Sequence, residues 1–438
     1  MDQASPKQYN TIFALASGGG RAAVTVLRIS GDAAGHMLDG LVRRRPAARI
    51  ASIRVLRFGG DVLDRALVLW LPGPTSYTGQ DCVELHLHGG RAVLAGVSDA
   101  LVALGARPAE PGEFTRRAFL NGRMDLLEAE GVADLVEAET LAQRRQALRQ
   151  MEGGLGTIYR GWAARLTRLL AQQEALIDFP DEDLPPAVEQ AATAEILALS
   201  EEIGRHLDDG RRGERLREGL VFAIAGPPNA GKSTLINALA QRDVAIVSHH
   251  PGTTRDVLQV RVDLGGIPVT LLDTAGLRLA ADEIEAEGVR RARMSMATAD
   301  MIILARDPTS APLPETDLPV GVPVFRLATK LDLATSGAVD GLAVSGLTGE
   351  GMDRLLVALT EAARHMTDSV GAPSLTRPRH RAALMEAHVR LVAAAEALWP
   401  ELRAEDLRLA VRAVGRITGA VGVEDVLDSI FRQFCIGK

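Results

Sequence analysis

The sequence is poor in cysteine, has no long apolar run and carries no excess of positive charge. Its two cysteines, Cys82 and Cys435, are too few for a disulfide framework and lack the spacing of a zinc site. No apolar run is long enough to span a bilayer, and Met1-Asp2-Gln3 does not begin a charged and then apolar leader. We therefore expect a cytoplasmic protein that makes no membrane contact.

Acidic residues outnumber basic residues by 56 to 49, which gives a net charge of −7. This balance argues against a protein that coats nucleic acid non-specifically, so any RNA contact requires a local basic face or a partner. The 438 residues predict two to four domains. A composition of 47% apolar and 24% charged residues is typical of an ordinary soluble protein.

A glycine loop is the first motif that carries chemistry. Gly226-Pro227-Pro228-Asn229-Ala230-Gly231-Lys232-Ser233 follows the apolar run Val221–Ala225 and precedes the helix-like run Thr234–Leu239. This context is typical of a phosphate-binding loop, whose backbone N–H groups and helix N-terminus hold phosphate oxygens. Lys232 is predicted to reach the outer phosphates, and the Ser233 hydroxyl is predicted to ligate Mg²⁺. We predict nucleotide contacts from Asn229 through Thr234.

Three further motifs follow in the order that a GTPase requires: Gly252-Thr253-Thr254-Arg255-Asp256, Asp273-Thr274-Ala275-Gly276 and Thr329-Lys330-Leu331-Asp332. Thr254 is predicted to face Mg²⁺, and Asp273 is predicted to lie on the metal side at a strand end. The Asp332 carboxylate suits guanine because it can accept two parallel hydrogen bonds from the base. Ser345 is predicted to lie in the loop that closes over the base. The alternative, an ATP-binding loop with unrelated neighbours, does not need the last motif.

The same region is predicted to form an open α/β sheet. Its strand candidates end at Ala225, Leu272, Ala305, Leu327 and Val344. The motifs lie just beyond four of these ends, where ligands of a parallel sheet are expected. Thr329 stands where the guanine motif usually has asparagine, so we expect guanine preference to be kept with weaker binding.

Residues 9 to about 120 alternate β-like runs with turns and predict an α+β segment. The strand candidates are Val24–Ile29, Ala66–Leu71 and Asp81–His88. In the last of these, Glu84, His86 and His88 alternate with apolar residues and share one face. These three side chains could bind a metal ion, or they could be solvated or hydrogen-bonded.

Two regions show helical periodicity, from about 123 to 217 and after residue 373. In the first region we predict a helix from Ala194 to Leu207 with Thr193 as its N-cap, followed by a charged and flexible boundary at Asp208–Gly213. In the second we predict helices Arg381–Trp399, Leu407–Thr418 and Val423–Phe434, with a break at Pro400. The apolar faces predict a packed helical core, and partner binding is the alternative.

Three blocks of sequence carry a family resemblance. They are Pro74-Thr75-Ser76-Tyr77-Thr78-Gly79-Gln80-Asp81 with His88-Gly89-Gly90, Pro111-Gly112-Glu113-Phe114-Thr115-Arg116-Arg117-Ala118-Phe119-Leu120-Asn121-Gly122, and the final Phe434-Cys435-Ile436-Gly437-Lys438. With the GTPase motifs, the chain resembles the MnmE (TrmE) family of tRNA modification GTPases, in the TrmE-Era-EngA-like group, over essentially its whole length. The resemblance implies a multidomain protein: an α+β folate-binding and dimerisation domain at 1–122, an all-α domain in two parts at 123–217 and 367–438, and an inserted Ras-like α/β P-loop GTPase domain at 218–366.

The resemblance also implies a folate site. The ligand is 5-formyl-tetrahydrofolate or a related tetrahydrofolate, and the family's contact positions correspond here to Arg28, Glu84, Arg123 and Lys438. A carboxylate such as Glu84 can accept two hydrogen bonds from a pterin edge, and basic groups suit the glutamate tail. Arg123 departs from the lysine expected at its position. Cys435 is either a reactive thiol beside the folate or a small apolar residue at a helix end.

For hydrolysis, the resemblance implies a glutamate that orients the attacking water, here Glu285, because Leu277 cannot do so. It implies K⁺ in place of an arginine finger, held by Asn229 and by a switch I loop that supplies Ser248, His250 and Thr253. The predicted nucleotide contacts in that loop are Ser248, His249, His250, Pro251, Gly252, Thr253 and Thr254. Ser248-His249-His250-Pro251 departs from the usual Thr-Asp-Ile-Ala-like stretch.

The implied function is GTP-driven tRNA modification by a homodimer. With the FAD-dependent partner MnmG (GidA), in a heterotetramer or larger complex, it forms a carboxymethylaminomethyl or aminomethyl group at C5 of the wobble uridine. One alternative is a ribosome-assembly switch, which would carry an RNA-binding appendage after its GTPase module and could use the basic clusters Arg290–Arg293 and Arg377–Arg381. A free-standing folate transferase, the other alternative, leaves the GTPase motifs unexplained.

Overall fold

The computed structural model describes residues 11–179, 186–242, 244–246, 259–273, 293–307, 318–333, 341–368, 374–421, 424–432 and 434–437. By the density of contacts, the chain divides into two compact units. Unit 1 comprises 1–133, 156–164 and 411–438, and unit 2 comprises 134–155 and 165–410. The four domains predicted from the sequence are a finer division, which stays a prediction. Within the described ranges, no helix has the length and apolarity to cross a membrane.

The strands are β1 (Ile12–Leu15), β2 (Ala22–Ser30), β3 (Ser52–Phe58), β4 (Asp61–Leu71), β5 (Cys82–Gly89), β6 (Arg107–Pro108), β7 (Leu220–Ala225), β8 (Gln259–Leu264), β9 (Ile267–Asp273), β10 (Met301–Arg306), β11 (Val324–Ala328) and β12 (Leu342–Ala343). The helices are α1 (Ala34–Leu41), α2 (Arg91–Ala103), α3 (Glu113–Leu120), α4 (Leu126–Glu137), α5 (Leu141–Met151), α6 (Gly154–Asp178), α7 (Pro186–Leu207), α8 (Arg212–Glu218), α9 (Lys232–Ala240), α10 (Met352–Thr367), α11 (Pro378–Glu396), α12 (Pro400–Thr418) and α13 (Glu424–Phe431).

Unit 1 is built on a six-stranded sheet with the order β3-β4-β5-β2-β1-β6. Its strand pairs are antiparallel except for β1 with β6. One face forms the core together with buried residues of α1 and α2, among them Leu38 and Leu101. The alternation in β2 and β5 leaves Arg28, Glu84 and His86 half-buried on the opposite face. The sheet therefore places these polar side chains away from the apolar core.

Unit 2 contains a six-stranded sheet with the order β12-β11-β10-β7-β9-β8. All of its pairs are parallel except β8 with β9. The sheet core combines β-branched and leucine residues of the strands with α9 and α10, and its strands end within about one residue of the predicted positions. The sequence analysis did not predict β8, in which the polar residues Gln259, Arg261 and Asp263 alternate with apolar residues because only one face of the strand is covered.

Three predictions about helices and their boundaries are wrong. The helix predicted at Leu407–Thr418 begins earlier, at Pro400. Helix α7 begins at Pro186, so Thr193 lies inside it and is not an N-cap. A proline is tolerated in the first helical turn because the N–H that it lacks has no intrahelical partner there. The boundary at Asp208–Gly213 is packed rather than flexible: α8 starts at Arg212, and Asp209 accepts a hydrogen bond from Arg381 at 2.6 Å.

Candidate functional site

The loop between β7 and α9 has the backbone that phosphate binding requires. Gly226 has a φ of +149°, and a Cβ there would lie 2.1 Å from the carbonyl oxygen of Ala305, so only glycine fits. Gly231 has a φ of +78° and precedes the first turn of α9. Lys232 is buried and its Nζ donates to the carbonyls of Gly226 at 2.8 Å and Pro227 at 2.7 Å. The lysine thus lies across the loop, at the N-terminus of a helix where anions are stabilised.

The predicted magnesium side brings two elements of the sheet together. Ser233 Oγ, on the first turn of α9, donates to Asp273 Oδ2 at 2.7 Å. Asp273 ends β9 and is fully buried. Hydroxyl and carboxylate oxygens are the donors that Mg²⁺ prefers, so Ser233 and Asp273 fit this ion. Their role in metal binding stays a prediction.

The predicted guanine side is tied to the phosphate loop. Thr329 is buried, and its hydroxyl donates to the carbonyl of Ala230 at 2.7 Å. Ser345 Oγ, fully buried, donates to Asp332 Oδ1 at 2.5 Å and accepts the N–H of Thr348 at 3.1 Å. The threonine that replaces asparagine therefore still links the guanine motif to the loop that holds the phosphates.

Asp307 is a site residue that the sequence reading missed. It directly follows β10 and is buried, and its Oδ2 accepts a hydrogen bond from Lys330 Nζ at 2.6 Å. Lys330 itself has a left-handed backbone with a φ of +55°. An acidic residue at the carboxyl end of a central strand was the available signal, because such ends line the ligand edge of a parallel sheet.

Several predicted site residues lie outside the described residues. They are Ser248, His249, His250, Pro251, Gly252, Thr253, Thr254, Thr274, Ala275, Gly276, Glu285 and Lys438. Asn229 is described: it is exposed in the phosphate loop, with a φ of +63°. Its side chain is therefore accessible at the edge of the loop where the K⁺ ligand was predicted.

On unit 1, the predicted folate residues Arg28 and Glu84 face each other across β2 and β5. Arg28 donates from Nε at 3.1 Å and from its terminal nitrogen at 3.0 Å, both to Glu84 Oε1. The guanidinium lies 5.1 Å from the ring centre of Tyr77 and 5.8 Å from that of Phe114. Burial raises the pKa of the Tyr77 phenol, and its hydroxyl lies 2.8 Å from Thr115 Oγ1. The site combines one fixed ion pair with two aromatic rings.

Two further residues predicted for the folate site, Arg123 and Cys435, are among the described residues. Arg123 is exposed and packs beside Gly79, where a Cβ would lie 3.2 Å from its Cγ. Cys435 is an exposed free thiol whose carbonyl oxygen accepts the N–H of Gly112 at 3.4 Å. Their roles at the folate site stay predictions.

The alternative of a metal on β5 is wrong. His88 turns to Asp64, with 2.7 Å between Nδ1 and Oδ1, while His86 Nε2 lies 3.8 Å from Glu84 Oε2. Over the described part of the chain, no group of three or more His, Cys, Asp or Glu side chains could hold a metal ion. His86 and Glu84 share one face as predicted, but His88 is bound by Asp64 of the neighbouring strand β4.

The cluster at Arg377–Arg381 is also not a free basic face. Arg377 donates to Asp134 at 2.7 Å, and Arg381 binds Asp209 at 2.6 Å and Glu214 at 2.8 Å. His380 is fully buried. These charges are committed to the packing of unit 2, so the cluster does not support RNA binding.

The parallel sheet, the glycine loop with its lysine, and the separate guanine loop together define a P-loop GTPase. Comparison with known proteins then places this GTPase. Residues 11–123 match the family described as GTP-binding protein TrmE N-terminus, and residues 126–435 match the MnmE helical domain.

Three tRNA modification GTPases named MnmE are similar along their whole length. That of Gluconacetobacter diazotrophicus is 59% identical, with 99% of this chain and 100% of the relative covered. Those of Rhodospirillum rubrum and Granulibacter bethesdensis are 55% and 54% identical, each with 98% of this chain and 99% of the relative covered.

The chain belongs to the MnmE family of tRNA modification GTPases, and it hydrolyses GTP. The predicted family, the GTPase activity and the multidomain fold class are confirmed.

Proposed function

We propose that this GTPase works as a homodimer with the FAD-dependent partner MnmG (GidA) and forms the carboxymethylaminomethyl or aminomethyl group at C5 of the wobble uridine of certain tRNAs. The observation that carries the proposal is the pair of sites on one chain: a GTPase site on unit 2, and on unit 1 an Arg28–Glu84 pair beside two aromatic rings. Hydrolysis of GTP in the first site would drive a conformational step, and a tetrahydrofolate bound in the second site would supply a one-carbon unit.

In the GTPase site, Ser233 and Thr254 would hold Mg²⁺, and Asp273 would lie on the metal side next to Ser233. Asn229, Ser248, His250 and Thr253 would hold K⁺, and the ion would supply positive charge to the transferring phosphoryl group. Two observations support this assignment: Ser233 Oγ lies 2.7 Å from Asp273 Oδ2, and Asn229 is exposed in the phosphate loop. Glu285 orients the attacking water.

A contact between the GTPase sheet and a helix supports a conformational role for GTP. Strands β8 and β9 lie between the two predicted switch motifs, and the turn that joins them reaches α5. There the N–H of Ala142 donates to the carbonyl of Gly266 at 3.2 Å, and Arg261 pairs with Glu139 at 2.8 Å. A change in the switch segments would act on α5 through this short hairpin.

The deciding experiment is GTP turnover by the purified full chain in potassium and in sodium buffer. We expect potassium to stimulate turnover, and Asn229→Ala and Glu285→Ala to abolish the stimulation. Glu283→Ala, which removes a neighbouring acid, is the matched control and should keep it. Equal rates of the wild type in the two salts would overturn the potassium mechanism.

A second assay tests the modification itself. The chain, the flavin-dependent partner and unmodified tRNA are incubated with GTP, and the digested nucleosides are analysed by mass spectrometry. We expect a C5-substituted wobble uridine that requires GTP and a tetrahydrofolate. The ribosome-switch alternative predicts no new nucleoside, and after residue 374 the described residues form helices rather than an α+β appendage.

A further inference from the structure

One polar atom lies on the face of the unit 1 sheet opposite the core and forms no hydrogen bond within the described residues. His86 Nε2 is buried, and it has no hydrogen-bond partner among the described residues. Its cross-strand neighbours are Val26 on β2 and Leu67 on β4, both apolar. Burying an imidazole nitrogen without a hydrogen-bond partner lowers stability. A functional role for this nitrogen would explain why the cost is accepted.

The imidazole of His86 lies beside the Glu84 carboxylate oxygen that Arg28 does not bind. Both Arg28 hydrogen bonds go to Oε1 of Glu84, whereas Oε2 is the oxygen nearest to His86, at 3.8 Å from Nε2. This distance is too long for a hydrogen bond. The two atoms stand side by side on alternate residues of one strand, so they present an acceptor and a ring nitrogen to whatever lies on that face.

His88, the other histidine on this strand, does not share the arrangement. It is exposed, and Asp64 accepts from both its backbone N–H at 2.9 Å and its ring, with the ring nitrogen 2.7 Å from the other carboxylate oxygen. The two histidines therefore differ in their hydrogen bonds: the His88 ring is bonded to Asp64, whereas His86 Nε2 has no partner among the described residues.

We infer that His86 is a specificity-determining residue of the folate site, where its Nε2–H donates to the 4-oxo group of the pterin while Glu84 accepts the adjacent ring N–H and amino group. This inference rests on the proposed folate function. A 2-amino-4-oxopteridine presents two donors and then an acceptor along one edge, which the row of Glu84 oxygens and the His86 nitrogen complements. Arg28 holds the carboxylate through its two hydrogen bonds to Oε1.

The test compares binding of tetrahydrofolate and of its 4-thioxo analogue, which keeps the 2-amino group and the ring N3–H but offers sulfur, a weaker hydrogen-bond acceptor, at position 4. Calorimetric titration of the full-length chain should show about a tenfold preference for the 4-oxo compound, the size expected for one hydrogen bond. His86→Ala should weaken binding of the 4-oxo compound about tenfold and erase the preference. His86→Gln, which keeps a donor, should restore most of it, and His88→Ala should behave like the wild type.

The outcomes distinguish a failure of the proposed folate function from a failure of the His86 assignment alone. If the wild type binds neither compound, the proposed folate function itself fails. If the wild type binds, Glu84→Ala abolishes binding and His86→Ala keeps the wild-type preference, only the role of His86 is overturned. Equal weakening of both compounds by His86→Ala would indicate a structural role, and a wild type without preference would also count against the inference.

Discussion

The pair formed by Asp307 and Lys330 offers a direct test of how the guanine motif is held. The Asp307 side chain is 4% exposed and that of Lys330 is 31% exposed, with 2.6 Å between Oδ2 and Nζ. Hydrogen bonds to charged groups contribute roughly 1.5–3 kcal/mol. Because the lysine remains partly solvated and asparagine still offers an acceptor, we take the lower end, about 1.5 kcal/mol, for Asp307→Asn. That free energy corresponds to about a tenfold change in affinity.

We therefore expect Asp307→Asn to bind GDP about tenfold more weakly, because Lys330 is no longer held in place beside the base. Titration of a fluorescent GDP analogue measures the affinity, and thermal unfolding of the same sample reports folding. Asp353→Asn is the matched control: it removes a carboxylate that is 91% exposed and pairs with Arg242 in the same unit. Such surface pairs contribute little, so affinity should be unchanged. A folded Asp307→Asn variant with wild-type affinity would refute the positioning role.

Two other predictions concern single side chains. Thr329→Val removes the hydroxyl that donates to the Ala230 carbonyl at 2.7 Å, so we expect about tenfold weaker GTP binding, whereas Thr329→Ser should bind normally; equal affinities in nucleotide titrations would contradict this. Burial raises the pKa of Glu113, but hydrogen bonds from Arg107, the Glu110 N–H and Arg117 outweigh it and bring the pKa below its ordinary value of 4.5. The stability from this carboxylate is therefore present above pH 4.5 and is lost as the pH falls through the lowered pKa. Glu113→Gln should lower stability at pH 7 by roughly 1–3 kcal/mol and flatten its decline in acid; thermal unfolding curves that stay parallel to the wild type from pH 7 to about pH 3 would contradict this.

Local pattern predicted the strand ends well but misjudged the helix starts. The run that ends at Ala225 was recognisable because a buried strand before a glycine loop leaves a clear signal. The start of α7 at Pro186 was missed because a proline reads as a break whether it ends a helix or opens one. The local sequence of Asp208–Gly213 predicts a flexible boundary. In the structure Arg381, more than 160 residues away in the sequence, donates a hydrogen bond to Asp209 and orders this segment.

The sequence by itself determined the identities of the GTPase motifs, their order, and the alternation that sets Glu84 and His86 on one strand face. These follow from local spacing, because the period of a strand and the conformations open to glycine are properties of a few neighbouring residues. Tertiary structure alone decided which partners those residues meet. Sheet register pairs Arg28 with Glu84, and the strand order brings Asp64 to His88 while leaving His86 Nε2 unsatisfied. Register and strand order depend on contacts distant in sequence, which no local pattern records.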